Sequence, residues 1–258
     1  MIMNKKEFLD EVRKKWCEPL RHEQRFVKRS SLLEKFESQK TPEIINELIL
    51  ANLILNDKSF VCKKLSYEPQ PQNVDTIVKT IDFCFETADE RIVYCDVKTI
   101  KPKDNDAWEK FVKHQKYFPK NVNLHLEQDG MGGEIYHSMH NARASMLTYT
   151  LELEQKIGIY GKVPKTHFIL VLCGNGFHWH LDEFEDFSDF YIAGRHNPGD
   201  QFSEMENHHI TEKQISFNKT IDRFAYLKRQ ETNIELEQFC CPVQGPWVGN
   251  RWRAKEKK

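Results

Sequence analysis

The chain predicts an α/β fold with a mixed central sheet flanked by helices, on three observations. A nearly all-apolar helix, EIINELILANLIL, is opened by Thr41-Pro42-Glu43. Three strand-like runs then follow: Phe60 to Tyr67, Val78 to Phe85 and Arg91 to Ile100. A long helical pattern from about Tyr136 to Ile157 leads into the apolar strand HFILVLCG. Helix, strands, helix and strand in that order are the alternation that builds sheets with helices packed on them.

Each element has a local reason. From Lys5 to about Gln39, charged residues alternate with apolar ones at helical spacing (Phe8, Leu9, Val12, Trp16), predicting one or two amphipathic helices. Thr41 can cap the next helix, Pro42 suits its first position, and Glu43 suits its positive dipole end. A helix apolar almost all round must be buried, so Asn52 and the stripe Glu43, Asn46 and Glu47 stand out. Asp106 to Phe118 reads as a short helix, and NVNLHLEQDGMGGE as a loop. FHWHL follows the last apolar strand, and from Asp182 the chain mixes helical and irregular patches. This divides it into a helical extension at 1–40, a core at 41–181 and a mostly helical addition at 182–258.

Composition narrows the class. The 258 residues can bury a sizeable core, 30% are charged, 39% are hydrophobic and the net charge is −1, as in a soluble globular protein. No run is long enough for a transmembrane helix, and the charged N-terminus lacks a signal peptide's apolar centre, so the expected location is the cytoplasm. Seven cysteines, none in a CxxC pair, fit reduced thiols better than disulfides or a cysteine metal site. Cys62, Cys84, Cys95 and Cys173 lie in apolar runs, while Cys240 and Cys241 are adjacent. Near-neutral charge argues against a coat for nucleic acid but allows a local basic cleft. The basic end GNRWRAKEKK reads as a solubilising tail.

The chemistry is concentrated in TIDFCFETADERIVYCDVKTIKP, which puts Asp82, Asp96 and Lys98 among core-like residues. Taken as a hairpin around Thr87-Ala88-Asp89-Glu90, it sets Asp82 opposite Asp96 or its neighbour. In the first register the Cβ atoms are roughly 5 Å apart. Alternation collects Ile81, Phe83, Phe85, Val93, Cys95 and Val97 on an apolar face and Asp82, Cys84, Tyr94, Asp96 and Lys98 on the other. Opposed carboxylates destabilise a sheet unless something positive sits between them. A divalent cation fits, because Mg²⁺ takes one or two carboxylates and keeps waters. Lys98, on the same face, can hold an attacking water and offset charge on phosphate.

An acid on one strand, acid-x-lysine on the next and an acid on the preceding helix together resemble the PD-(D/E)XK, or restriction-endonuclease-like, nuclease superfamily. The resemblance spans about Thr41 to Gly174, with Ile81 in place of the motif's proline. It implies that Asp82, Asp96 and Glu47 (or Glu43 in its stead) bind Mg²⁺ or Mn²⁺, with the backbone carbonyl of Val97 as a further ligand. It implies that Lys98 assists the water. The activity implied is a metal-dependent endonuclease acting on nucleic acid, double-stranded DNA before RNA, in restriction, defence or repair. A homodimer would suit double-strand cutting. The alternative is a catalytically inactive nucleic-acid-binding module on the same fold.

Context carries the motif, since Glu154-Gln155-Lys156 and Glu256-Lys257-Lys258 are also acid-x-lysine triplets. His140, Asn141 and Arg143, placed at the start of the long helix, are candidates for phosphate contact, and Lys101 and Lys103 for the nucleic-acid backbone. Gln155 reads as solvent-facing. His178 and His180, with His208-His209, raise a zinc hydrolase, but HExxH is missing and no third ligand has familiar spacing. Trp247 and Trp252 read as packing residues rather than base-stacking ones.

Overall fold

The structure, a computed structural model, describes residues 5–58, 60–71, 80–100, 132–173, 220–230 and 233–237. The N-terminal segment is one nearly continuous helical run: α1 (Lys5–Val12), a π-helical stretch (Arg13–Cys17) and α2 (Glu18–Arg21). A two-residue strand β1 (Phe26–Val27) and helix α3 (Arg29–Gln39) follow. Then come α4 (Pro42–Asn56), β2 (Cys62–Tyr67), β3 (Phe83–Thr87), β4 (Ile92–Thr99), α5 (Gly132–Tyr160), β5 (Thr166–Cys173), β6 (Arg223–Gln230) and β7 (Asn233–Glu237).

Among the described residues the strands form one seven-stranded sheet in the order β1 to β7. It is mixed, as expected. β1 runs parallel to β2, the β2–β3 and β3–β4 pairs are antiparallel, β4–β5–β6 is parallel, and β7 closes antiparallel on β6. A parallel β4–β5 pair needs a crossover connection, and α5 lies in it.

Both faces of the sheet are covered. Phe83, Phe85, Val93, Cys95, Val97, Ile169, Val171 and Cys173 share one cluster with Ile45, Leu48, Ile49 and Ala51 of α4. On the opposite face Tyr94 stacks on Phe168 and tilts against Tyr160 of α5. Met146, Leu153 and Ile157 of α5 are buried. The face that alternation marks as polar is therefore roofed by a helix rather than open to water.

Two expectations change at the element level. Thr41 is the N-cap of α4 with extended backbone, but its side chain makes no capping hydrogen bond; its carbonyl accepts from Ile45 N–H at 3.1 Å. Helix α5 begins at Gly132, earlier than the apolar pattern suggests, and absorbs Gly132 and Gly133 from the expected loop. Of 182–258 the structure describes 220–230 and 233–237, where β6 and β7 extend the central sheet, with Phe224 and Leu227 fully buried. Parallel pairing to β5 supplies the backbone hydrogen bonds and buries both faces, which overrides the irregular sequence pattern.

Nor do the N-terminal helices form a separate layer. Val12, Trp16, Cys17, Leu20, Phe26, Leu32 and Phe36 belong to the same buried cluster as α4 and the sheet. Buried Asn52 fixes the join, its Nδ2 donating to the carbonyls of Trp16 at 2.7 Å and Leu48 at 2.8 Å. Among the described residues Cys17, Cys62, Cys84, Cys95 and Cys173 form no disulfide. Burial pushes the Cys62 thiol up to about 11 and that of Cys84 up to about 12, so both are inert fillers. Cys240 and Cys241 lie outside the described residues.

Candidate active site

The hairpin sets the site. Thr87 N–H donates to Arg91 O at 3.0 Å and Glu90 N–H to Thr87 O at 3.1 Å, so the turn falls at Thr87 to Glu90 as the sequence implies. The resulting register pairs Phe83 with Cys95 and Phe85 with Val93. One step further sets Asp82 level with Asp96. Asp82 itself lies just before β3, its carbonyl accepting from Glu68 N–H at 2.8 Å.

Because β3 starts only at Phe83, Val97 N–H has no strand backbone to meet there, and Asp82 Oδ2 accepts it at 2.6 Å. Asp96, in mid-strand, is completely buried. Its Oδ1 accepts from Lys156 Nζ at 2.6 Å, while Oδ2 is buried with no hydrogen-bond partner. Lys98 Nζ stands 3.5 Å from that Oδ2 and 3.7 Å from Glu152 Oε2. From α4, on the other side of the sheet, Glu47 Oε2 accepts from Tyr67 O–H at 2.6 Å. Tyr67 in turn accepts from Lys35 Nζ at 2.9 Å. Each of the three carboxylates is thus anchored through one oxygen.

The electrostatics report crowding of like charge. Burial first, then the charges of Asp96 and Glu47, raise the Asp82 carboxyl well above the ordinary range; Lys98 and the Val97 N–H oppose this. Burial raises Glu47 as well, against the Tyr67 hydrogen bond and the charge of Lys35. For Lys98 burial pulls down, but Asp96, Asp82 and Glu152 outweigh it and the net direction is up. Lys98 is therefore a firmly protonated cation at neutral pH, suited to donating a hydrogen bond and unsuited to acting as a base.

Whether these residues fit a divalent cation turns on the donor set. Among the described residues no group of three or more His, Cys, Asp and Glu side chains is drawn together as a ready metal cage. Asp82 and Asp96 nevertheless offer two hard oxygen donors, one of them the buried Asp96 Oδ2 that no hydrogen bond engages, and burial together with the neighbouring acids disfavours the charge of Asp82. Mg²⁺ commonly takes only one or two carboxylates and completes its octahedron with water. The pair fits it on those terms, and Glu47 is the acid of α4 whose charge bears on Asp82.

Three residues of this site are not singled out by motif reasoning: Lys156, Glu152 and Tyr67. Lys156 belongs to a triplet that looks like a chance match, yet it is 5% exposed and ion-paired with Asp96. The available signal is spacing, since Tyr149, Glu152, Lys156 and Tyr160 recur at helical intervals along one stripe of α5. All four serve this face: Tyr149 lies under Lys98, and Tyr160 O–H donates to Pro69 O at 2.5 Å while accepting from Ile81 N–H at 3.1 Å. Asn46, on the same stripe of α4 as Glu47, instead donates to Thr99 Oγ1 at 2.7 Å.

Other sequence candidates fall differently. His140, Asn141 and Arg143 lie in α5, but the helix begins at Gly132 and they are roughly two to three turns inside it, away from the N–H groups of its N-terminus. Their side chains lie outside the described residues, as do Lys101, Lys103, residues 106–118, His178, His180, His208, His209, Trp247 and Trp252. Gln155 is exposed, as expected. No helix among the described residues is long and apolar enough to cross a membrane.

Compared with protein-family models, curated proteins and solved structures, the chain matches none.

Proposed function

We propose that the chain is a divalent-metal-dependent nuclease hydrolysing phosphodiester bonds, DNA before RNA. The observation that carries this reading is the convergence of Asp82, from just before β3, with Asp96 and Lys98 of β4, with Asp96 Oδ2 buried without a hydrogen bond beside Lys98 and the charge of Glu47 bearing on Asp82 from α4. Asp82 and Asp96 would hold Mg²⁺ or Mn²⁺, with Glu47 and the Val97 carbonyl as further donors in line with the restriction-endonuclease-like pattern. The ion would supply Lewis-acid polarisation of phosphate and a bound water of lowered pKa.

The chain's own groups do the rest. Lys98 stays charged, directs an N–H toward the attacking water and offsets the negative charge that grows on the phosphate oxygens. Val97 N–H fixes Asp82, and Tyr67 fixes Glu47, so neither acid needs to reorient when the site fills. The Tyr149 ring, 6.0 Å from Lys98 Nζ, screens one side of that ammonium from water and strengthens its field.

Plasmid and oligonucleotide cleavage with Mg²⁺, Mn²⁺ or EDTA tests the reading. The wild type should cut with either metal, stop in EDTA and lose activity in Asp96→Ala. A wild type that cuts nothing, or an Asp96→Ala variant that cuts as well, overturns it. One observation favours a second reading, a non-cleaving nucleic-acid-binding module: Asp96 already has an ammonium at 2.6 Å. Metal-independent binding of DNA without turnover is its signature.

A further inference from the structure

We propose that Lys156 is a positioning residue that grips Asp96 through Oδ1 and thereby turns Oδ2 toward the cation. This deepens the nuclease reading and rests on it.

The geometry divides the two oxygens of Asp96. Lys156 Nζ sits 2.6 Å from Oδ1, while Oδ2 has no hydrogen-bond partner and faces Lys98 at 3.5 Å. A carboxylate held at one oxygen has one orientation left. The other oxygen then stands 3.5 Å from Lys98, with the charge of Asp82 near enough to be felt by Asp96 and Lys98 alike. Both members of the grip are buried, Asp96 at 0% and Lys156 at 5% exposure, so the contact is set by packing rather than by a mobile surface chain. Helix α5 supplies the rigidity: Leu153 and Ile157, flanking Lys156, are buried, and Tyr160 one turn on is tied to Ile81 N–H and Pro69 O. A lysine that merely stabilised the fold would be an uneconomical choice here, because a buried ion pair is often no better than an apolar pair of equal volume.

The role is distinct from that of Lys98. Lys98 is partly exposed, with a side chain at 21%, and can meet a substrate; Lys156 is shut off and acts only through Asp96. Two opposite consequences separate positioning from plain charge. Removing a nearby positive charge should tighten the hold on a cation, whereas removing the grip on Oδ1 should loosen it.

Mn²⁺ binding without nucleic acid, followed by paramagnetic resonance of the free ion on the full chain, reads this directly. Lys156→Met should weaken Mn²⁺ roughly 10- to 100-fold. Lys156→Gln retains a shorter donor and should show a smaller loss, at least about threefold. If Lys156→Met does not fold, Lys156→Gln decides, with its melting temperature recorded so that lost stability is not mistaken for lost affinity. Folded variants that bind Mn²⁺ as tightly as the wild type, or more tightly, overturn the positioning role while leaving the nuclease reading intact. A wild type that binds no Mn²⁺ removes both.

Discussion

Asp82 shows how a single residue can be costly to a fold and central to the proposed site. Its carboxyl is raised by burial and by Asp96 and Glu47, so in the folded state it holds its proton more tightly than in the unfolded chain. The sign follows: below the unfolded carboxylate range both states are protonated and the residue is neutral in its effect, while stability is lost as pH rises through the folded value. Asp82→Asn keeps an oxygen for Val97 N–H and removes the charge. In EDTA at pH 8 it should be more stable than the wild type by on the order of 1 kcal/mol, roughly 2–4 °C in melting temperature, with the gap closing toward pH 4. Urea melts at both pH values measure it. The same shift makes protons and cations competitors, so the rise in melting temperature given by Mg²⁺ should shrink as pH falls and be absent in Asp82→Asn. Tyr67→Phe tests a neighbour: Glu47 loses the O–H at 2.6 Å, which should cost about 1–3 kcal/mol of stability in urea melts. Cleavage by that variant should fall about 10- to 100-fold.

Among the elements, the β3–β4 hairpin decides everything else, because a slip of one residue would exchange its faces and separate the two acids. Its turn holds Glu90 at φ 63°, in the left-handed region that side chains enter at a cost. Thr87 Oγ1 steadies the turn by accepting from Arg91 N–H at 3.1 Å. Glu90→Gly should fold at least as well as the wild type, since the ion pair of Glu90 with Lys165 is exposed and contributes little. Glu90→Val, branched at Cβ, should lose about 1–2 kcal/mol in urea denaturation. Helix α5 is the second deciding element. It brings Lys156, Glu152, Tyr149 and Tyr160 over β4, so the polar face of the hairpin is paired from above while Lys98 and Glu152 stay partly exposed.

Taken whole, the molecule packs as one body within its described residues, with no self-contained core at 41–181. β6 is hydrogen-bonded to β5 in the parallel centre of the sheet, and Phe224, Tyr226 and Leu227 are buried there. At the other end Trp16, Leu20, Leu32 and Phe36 complete the cluster around α4. A fragment of residues 41–181 would therefore expose an unpaired central strand and a stripped apolar face, both prone to aggregation. It should lack near-ultraviolet circular dichroism and a cooperative melt, whereas the full chain should show both. An independently folding 41–181 fragment would contradict this account of the core.

The sequence by itself determined what depends on neighbours close along the chain. Alternation in IDFCF and VYCDVK sets which residues face the core, the Thr87–Glu90 turn fixes their pairing, and Pro42 with the apolar run after it defines α4. Asp82, Asp96 and Lys98 were legible for that reason. Only the tertiary structure decided what meets across the layers: Lys156 against Asp96, Tyr67 against Glu47, Asn46 against Thr99 rather than the site, and β6 beside β5. Periodicity reports that a face will be covered but not by which side chain, because the partner is chosen by how distant elements pack and by which buried charge or donor still lacks a mate.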